Sequence, residues 1–240
     1  MQKFVKNKVD SNTLKTPLAA DILSIIRDRR SVRAFLNKPV SDEIITRIID
    51  CAKWAPSGVN TQPWHIDVLG PKSQKLISNQ IIHAREIQQA ENPDYQYYPS
   101  EWPEPYKTRR KACGSALYGA LNISYSDTEK RKAQWYKNYS FFGAPIGLIF
   151  YIDKNLCKGS WMDMGMFIQN VMLAARGCGL ETCAQASLSE YPDIIRSTLS
   201  IKPKFHIVCG MALGYADWSD PVNQYRTERE SSDIFNQWHE

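Results

Sequence analysis

Apolar positions along this chain recur first at helical spacing and only later at strand spacing. Residues 17–30, PLAADILSIIRDRR, open on a proline suited to a first helical turn. They carry Asp21 early and close on Arg27, Arg29 and Arg30, which predicts a helix with charges matched to its dipole. A second helix is predicted over 40–55, where VSDEIITRIIDCAKWA puts Ile44, Ile45, Ile48 and Ile49 on one face and offers Ser41 or Asp42 as N-cap. WHIDVLG, 64–70, alternates as a strand does, and a third helix over 71–89 starts at Pro71. Residues 107–123 and 126–139 are helical, the second with a capping box of Ser126 and Glu129. APIGLIFYID, 144–153, predicts a buried strand. The most apolar helix follows over 160–180 and is closed by Gly177 and Gly179. ETCAQA, 181–186, and KFHIVCGMALGY, 204–215, are further strands on either side of a helical stretch at 189–200.

Helices come first, then helices and strands mixed, with about four strands. That order predicts a three-layer α+β fold rather than strict βαβ alternation. A chain of 240 residues can bury one sizeable core, and 43% hydrophobic with 23% charged residues is ordinary globular composition. The longest apolar runs, such as Pro145–Ile152, are too short to span a bilayer, and the first residues contain no apolar stretch of the secretory kind. A cytoplasmic address is expected.

Composition also narrows the chemistry. Six scattered cysteines without a CxxC, and four histidines without metal spacing, predict reduced thiols and no zinc or iron–sulfur site. No GxSxG is present, and the glycines of GSALYG and GCGLET follow helices, so neither is a dinucleotide fingerprint or a phosphate loop. A self-contained acid–base enzyme is poorly supported, which leaves the chemistry to a cofactor. The net charge of +5 suits an anionic ligand or a phosphate-bearing cofactor and is too mild to argue for nucleic acid alone.

Four segments carry more polar or aromatic groups than their elements need. RDRRSVRAF, 27–35, reads either as cations at a helix C-terminus or as a phosphate clamp of guanidinium groups around Ser31. APSGVNTQPWHI, 55–66, reads either as a proline-stiffened connection or as a holder for a planar heterocycle, with Gly58 allowing close approach and the amides donating and accepting. NQYRTERE, 223–230, is either solvated surface or a second set of phosphate ligands at Arg226 and Arg229. Residues 91–106 contain four prolines and five aromatic residues, as a surface loop or a lid does. The helix over Trp161–Leu180 is apolar nearly all round, which predicts burial on several sides, within one chain or between two.

RRSVRAF some twenty-five residues before APSGVNTQPWHI, followed by an apolar helix leading into GLETCAQAS, closely resembles the FMN-dependent nitroreductase family over about Ile22 to Arg229. FFGAPIGLIFYID and the ending GYADWSDPVNQYRTERE look most like its nitrobenzoate and nitroaromatic reductase branch. The resemblance implies an α+β, three-layer α-β-α sandwich with a central mixed, mainly antiparallel sheet, assembled as an intertwined homodimer. It divides the chain into an N-terminal arm, 1–17, and one FMN-binding domain, 18–240, with a C-terminal extension from about 216.

By motif, the resemblance assigns Arg29, Arg30, Ser31 and Arg33 to the FMN phosphate and ribityl chain, with the pyrimidine edge in reach. Pro56, Ser57, Gly58 and Asn60 line the isoalloxazine from the other subunit, and Gln185, Ala186 and Ser187 lie beside flavin N5. Arg226 and Arg229 match the C-terminal phosphate ligands, and the chain departs from many members at Ala184, where they carry proline. The implied activity is a ping-pong reduction of nitroaromatics or quinones by NADH or NADPH through tightly bound, non-covalent FMN. Water supplies the proton, so no catalytic residue is assigned. No metal, nucleic acid or membrane partner is implied. Reductive dehalogenation and flavin cleavage occur on the same fold, and a flavin-binding regulatory protein without turnover is a third reading.

Overall fold

The computed structural model describes residues 17–239, so most of the expected N-terminal arm lies outside the described residues. The helices are α1 (Pro17–Asp28), α2 (Asp42–Ala52), α3 (Pro71–Glu86), α4 (Tyr106–Ala120), α5 (Thr128–Tyr136), α6 (Lys158–Gly177) and α7 (Pro192–Leu199). The strands are β1 (Trp64–Leu69), β2 (Ile146–Asp153), β3 (Glu181–Gln185) and β4 (Phe205–Gly214). They form one sheet in the order β1-β2-β4-β3, and every pair of neighbours is antiparallel. The parallel contact among the described residues is a single bridge, Ser31 with Thr182.

Strand alternation sorts the core into two layers. Leu148, Phe150 and Ile152 face Ile45 and Ile48 of α2 and Met164, Phe167 and Val171 of α6. Ile149, Ile207 and Ala212 face Ile77 and Ile81 of α3 and Ile195 of α7. The result is the expected three-layer α+β arrangement. Helix α6 buries one side in this core but leaves Met162 and Met166 exposed, and α4 buries none of its described residues. At the start of α2 the N-cap position falls to Ser41, whose side chain makes no capping bond.

The capping box expected at Ser126 and Glu129 is a correction. Asp127 is the N-cap of α5, and its carboxylate accepts the Lys130 N–H at 3.1 Å. A carboxylate at the cap also favours the positive end of the helix dipole, while the Ser126 hydroxyl pairs with Ser124 instead.

Strand β4 outruns its edge partner. β3 pairs only with Gly210–Gly214, which leaves the first half of β4 open on that side. A bulge sits there, because Phe150 opposes Cys209 and Tyr151 opposes Ile207, so Val208 has no opposite residue. The open backbone groups are taken by side chains. Asp94 Oδ2 accepts the Ile207 N–H at 2.7 Å, the Tyr95 hydroxyl donates to the Val208 carbonyl at 2.6 Å, and Arg196 donates to the Phe205 carbonyl at 3.1 Å. Arg196 also pairs with Asp94 at 2.6 Å. The proline- and aromatic-rich segment 91–106 is therefore anchored at its beginning as a cover for a sheet edge.

Gly210 lies opposite Gln185, and a Cβ there would overlap the fully buried Leu188. Gly210→Ala is expected to cost about 1–3 kcal/mol through overpacking. Thermal unfolding followed by circular dichroism checks this, with part of the loss recovered when Leu188→Ala is added.

Candidate functional site

The arginine segment is held extended by its backbone. Ser31 bridges Thr182, the Val32 N–H donates to the Thr182 carbonyl at 3.0 Å, and Val32 is fully buried. The Leu36 N–H donates to Tyr215 and the Asp217 N–H to Ala34, at 2.8 and 3.0 Å. Asn223, 2% exposed, ties the C-terminal segment to the same stretch. Its Oδ1 accepts the Arg33 N–H at 2.9 Å, and its Nδ2 donates to the carbonyls of Ala34 and Asp217 at 2.9 and 2.7 Å. Arg33 Nη1 donates to the Tyr225 hydroxyl at 3.0 Å.

These contacts gather all six residues of the expected clamp. Arg29, Arg30, Ser31, Arg33, Arg226 and Arg229 line one small cavity of about 120 Å³, beside Cys113, Tyr225 and Thr227. Burial, and then the charge of Arg229, lower the Arg29 guanidinium from its ordinary range. Arg30 Nε is buried without a hydrogen-bond partner among the described residues. Five guanidinium groups this close, with an unpaired buried donor, fit a polyanionic group such as phosphate.

Arg33 also lines a second cavity of about 390 Å³, within the usual size of small-molecule sites. Gln185, Ala186 and Ser187 form one wall, and Tyr95, Tyr97 and Tyr98 belong to another. Gln185 is buried, with Nε2 donating to the Asn138 carbonyl at 2.6 Å. Its Oε1 and the Ser187 hydroxyl have no partner among the described residues. Both atoms are buried in the wall, where leaving them unpaired is costly. Ala184 lies inside β3, opposite Met211 and exposed, so the strand runs on to Gln185 with no proline.

Pro56, Ser57, Gly58 and Asn60 line neither of these cavities. Their loop is nonetheless tightly built. The Gly58 N–H donates to Asp163 of α6 at 3.2 Å, and the Gln62 N–H donates to the Ser57 hydroxyl at 3.0 Å. Val59, Asn60 and Gln62 have φ of 44°, 59° and 47°, and Val59 is 97% exposed. A left-handed β-branched residue held out in solvent stores strain of about 1–3 kcal/mol, a feature that concentrates at ligand-holding loops.

A further cluster borders the larger cavity. Arg85 Nη2 contacts Glu91 and Glu190, each at 2.6 Å, and its Nε donates to the Tyr139 hydroxyl. Tyr139 in turn donates to Glu190 at 2.6 Å. Burial raises the Glu190 carboxyl above its usual range, opposed by the Tyr139 hydroxyl and Arg85. Asn223, Tyr225, Asp163 and Glu190 were not singled out from sequence. Of these only Asp163 carries a local signal, as an acid inside an otherwise apolar run. Among the described residues no group of three or more His, Cys, Asp or Glu is placed to hold a metal.

The α+β fold thus carries a small cationic cavity and a larger polar and aromatic one that share Arg33 in their lining. The Nitroreductase family model matches residues 26–215, and the chain belongs to that family. It is 40% identical over 218 residues to the 4-nitrobenzoate reductase of Pseudomonas putida, covering 91% of this chain and 95% of that protein. It is also 40% identical over 209 residues to the nitrobenzene nitroreductase of Ectopseudomonas oleovorans, covering 87% and 92%. Among solved structures, the FMN-dependent nitroreductase NfnB of Mycobacterium smegmatis in complex with NADPH superposes with a TM-score of 0.89 at 30% identity, covering 93% of this chain and 100% of that one.

The crowded guanidinium groups predict that inorganic phosphate raises the melting temperature of the flavin-free protein through preferential binding to the folded state. Arg29→Ala is expected to remove most of that gain in a thermal-shift titration.

Proposed function

We propose that this chain is an FMN-dependent NAD(P)H oxidoreductase that reduces nitroaromatics or quinones. The observation that carries this reading is the joining of the arginine cavity and the Gln185–Ser187 cavity through one shared residue, Arg33. Full-length relatives named as nitroarene reductases favour this chemistry over dehalogenation or flavin cleavage.

FMN, when bound, would supply two-electron hydride chemistry between NADH or NADPH and the oxidant. Arg29, Arg30, Ser31, Arg33, Arg226 and Arg229 would hold its phosphate and ribityl end. Gln185, Ala186 and Ser187 would border the ring, and the neighbouring cations would favour negative charge there. No side chain is assigned as the proton donor.

Pro56, Ser57, Gly58 and Asn60 complete the site from a second copy. The strained loop supports this, since it is held rigid yet turned away from its own chain's cavities. So do the apolar groups left outside the core, Ile22, Leu23 and Ile26 on α1 and Met162 and Met166 on α6. A cleft of about 890 Å³ between Ala112, Cys113 and Ala116 of α4 and Phe235 of the C-terminal segment adjoins the arginine cavity and adds to that surface. The active form is then a homodimer of one FMN-binding domain, 18–240, whose extension from about 216 supplies Arg226 and Arg229. No helix among the described residues is long and apolar enough to cross a membrane, and we place the enzyme in the cytoplasm.

The purified protein is expected to bind FMN, lose its visible flavin absorbance with NADH or NADPH under anaerobic conditions, and regain it on addition of a nitroarene. A protein unable to take up FMN overturns the proposal, and flavin that no nitroarene or quinone reoxidises removes the reductase reading. Arg33→Ala is expected to weaken FMN binding about tenfold or more by removing a charge-assisted contact, as read by fluorescence titration. Light scattering is expected to give twice the chain mass.

A further inference from the structure

By their names, the two relatives of equal identity differ in the charge of their substrates: 4-nitrobenzoate is an anion and nitrobenzene is neutral. Overall similarity does not choose between them, but the larger cavity does. A carboxylate entering it leaves water and needs a cation or several donors in exchange.

Among the described residues lining this cavity, Arg33 is the one cation. It stands at the boundary with the arginine cavity, and its Nη1 already donates to the Tyr225 hydroxyl. The next guanidinium, Arg85, lies behind the wall. It bridges Glu91 and Glu190, donates to Tyr139, and lies 4.2 Å from the centroid of the Trp135 ring. Its Nε and Nη2 donors are taken up within the protein, and it does not line the cavity. Glu91 and Glu190 do line it, so this wall shows two carboxylates balanced by one guanidinium. The remaining faces offered to a ligand include Tyr97, Tyr98 and Trp135, which stack on flat rings whether or not these carry charge. The loop 55–62 that a second copy brings contains no charged residue.

Resting on the nitroreductase reading above, we infer that this cavity selects uncharged or cationic nitroaromatics and discriminates against carboxylate-bearing ones, with Glu91 and Glu190 setting the preference. Glu190 is fixed by Arg85 and Tyr139. Glu91 stands at the mouth with its side chain 45% exposed, so it can be neutralised without opening the buried cluster.

The test compares 4-nitrobenzoate with its neutral isostere 4-nitrobenzamide, using the FMN-loaded enzyme at saturating NAD(P)H. The ratio of their kcat/KM values is measured in wild type, Glu91→Gln and Glu190→Gln, so that differences in intrinsic ease of reduction cancel between proteins. Wild type is expected to favour the amide, with the preference shrinking as ionic strength rises. Glu91→Gln is expected to shift the ratio toward the acid by about fivefold, chiefly through KM, the size of one unit charge acting over several ångströms at intermediate dielectric. Wild type that uses the acid as well as the amide, or a ratio unmoved in Glu91→Gln, overturns the inference while leaving the reductase intact. Reduction of neither compound overturns this inference, and reoxidation of the flavin by a quinone then decides the reductase reading separately.

Discussion

The constraint on which the site depends is that five guanidinium groups must stand close together before any anion arrives. Their mutual repulsion and burial both oppose this, as the lowered Arg29 guanidinium shows. What holds them is a lattice of uncharged hydrogen bonds. The 31–36 backbone runs beside Thr182 and Tyr215, and the Asn223 carboxamide makes three bonds that join this segment to the C-terminal one. Neutral bonds of this kind contribute about 1 kcal/mol each. They do not neutralise the charges, and among the described residues the five guanidinium groups make one ion pair, Arg226 with Asp28 at 3.6 Å. Ion pairs on all five would have fixed the same arginines by cancelling the property that makes them useful.

The sheet contributes by being incomplete. β3 stops at Gln185, five residues into its pairing with a longer β4, and the chain then turns through Ala186–Glu190. That early stop places Gln185 and Ser187 in the wall of the larger cavity, with Gln185 Oε1 and the Ser187 hydroxyl buried and unpaired among the described residues. It also leaves the bulged half of β4 open on the side away from β2, and Asp94 and Tyr95 close that edge. One shortfall in strand length thus creates the ligand wall and recruits the aromatic segment that stands over it.

Much of this was legible in the sequence because periodicity is local. The seven α-helices and four strands among the described residues fall where apolar spacing put them, and both arginine motifs line one cavity. The capping box was misplaced because Ser126 and Asp127 are adjacent cap formers, and only geometry decides which carboxylate or hydroxyl reaches the N–H. Asn223 was hidden in a polar run, where its three backbone partners leave no pattern. The Arg85–Glu190 pair joins residues 105 apart in sequence, and the bulge at Val208 interrupts an apolar strand without a glycine or proline to mark it. Long-range polar contacts and register shifts depend on tertiary packing, which spacing does not encode.

The cluster around Arg85 links the stability of the cavity wall to its charge. Glu190 cannot be lost freely, because Arg85 would keep its charge in a mostly buried position with one carboxylate removed, and unpaired buried charges are strongly destabilising. Glu91 is different: its contact with Arg85 is half in solvent, where an ion pair is worth little. Of two carboxylates facing the same space, one is fixed by the fold and the other is open to change. A shift in substrate charge preference within this architecture is therefore expected to run through position 91 before position 190, since only there can the wall change sign without cost to the buried network.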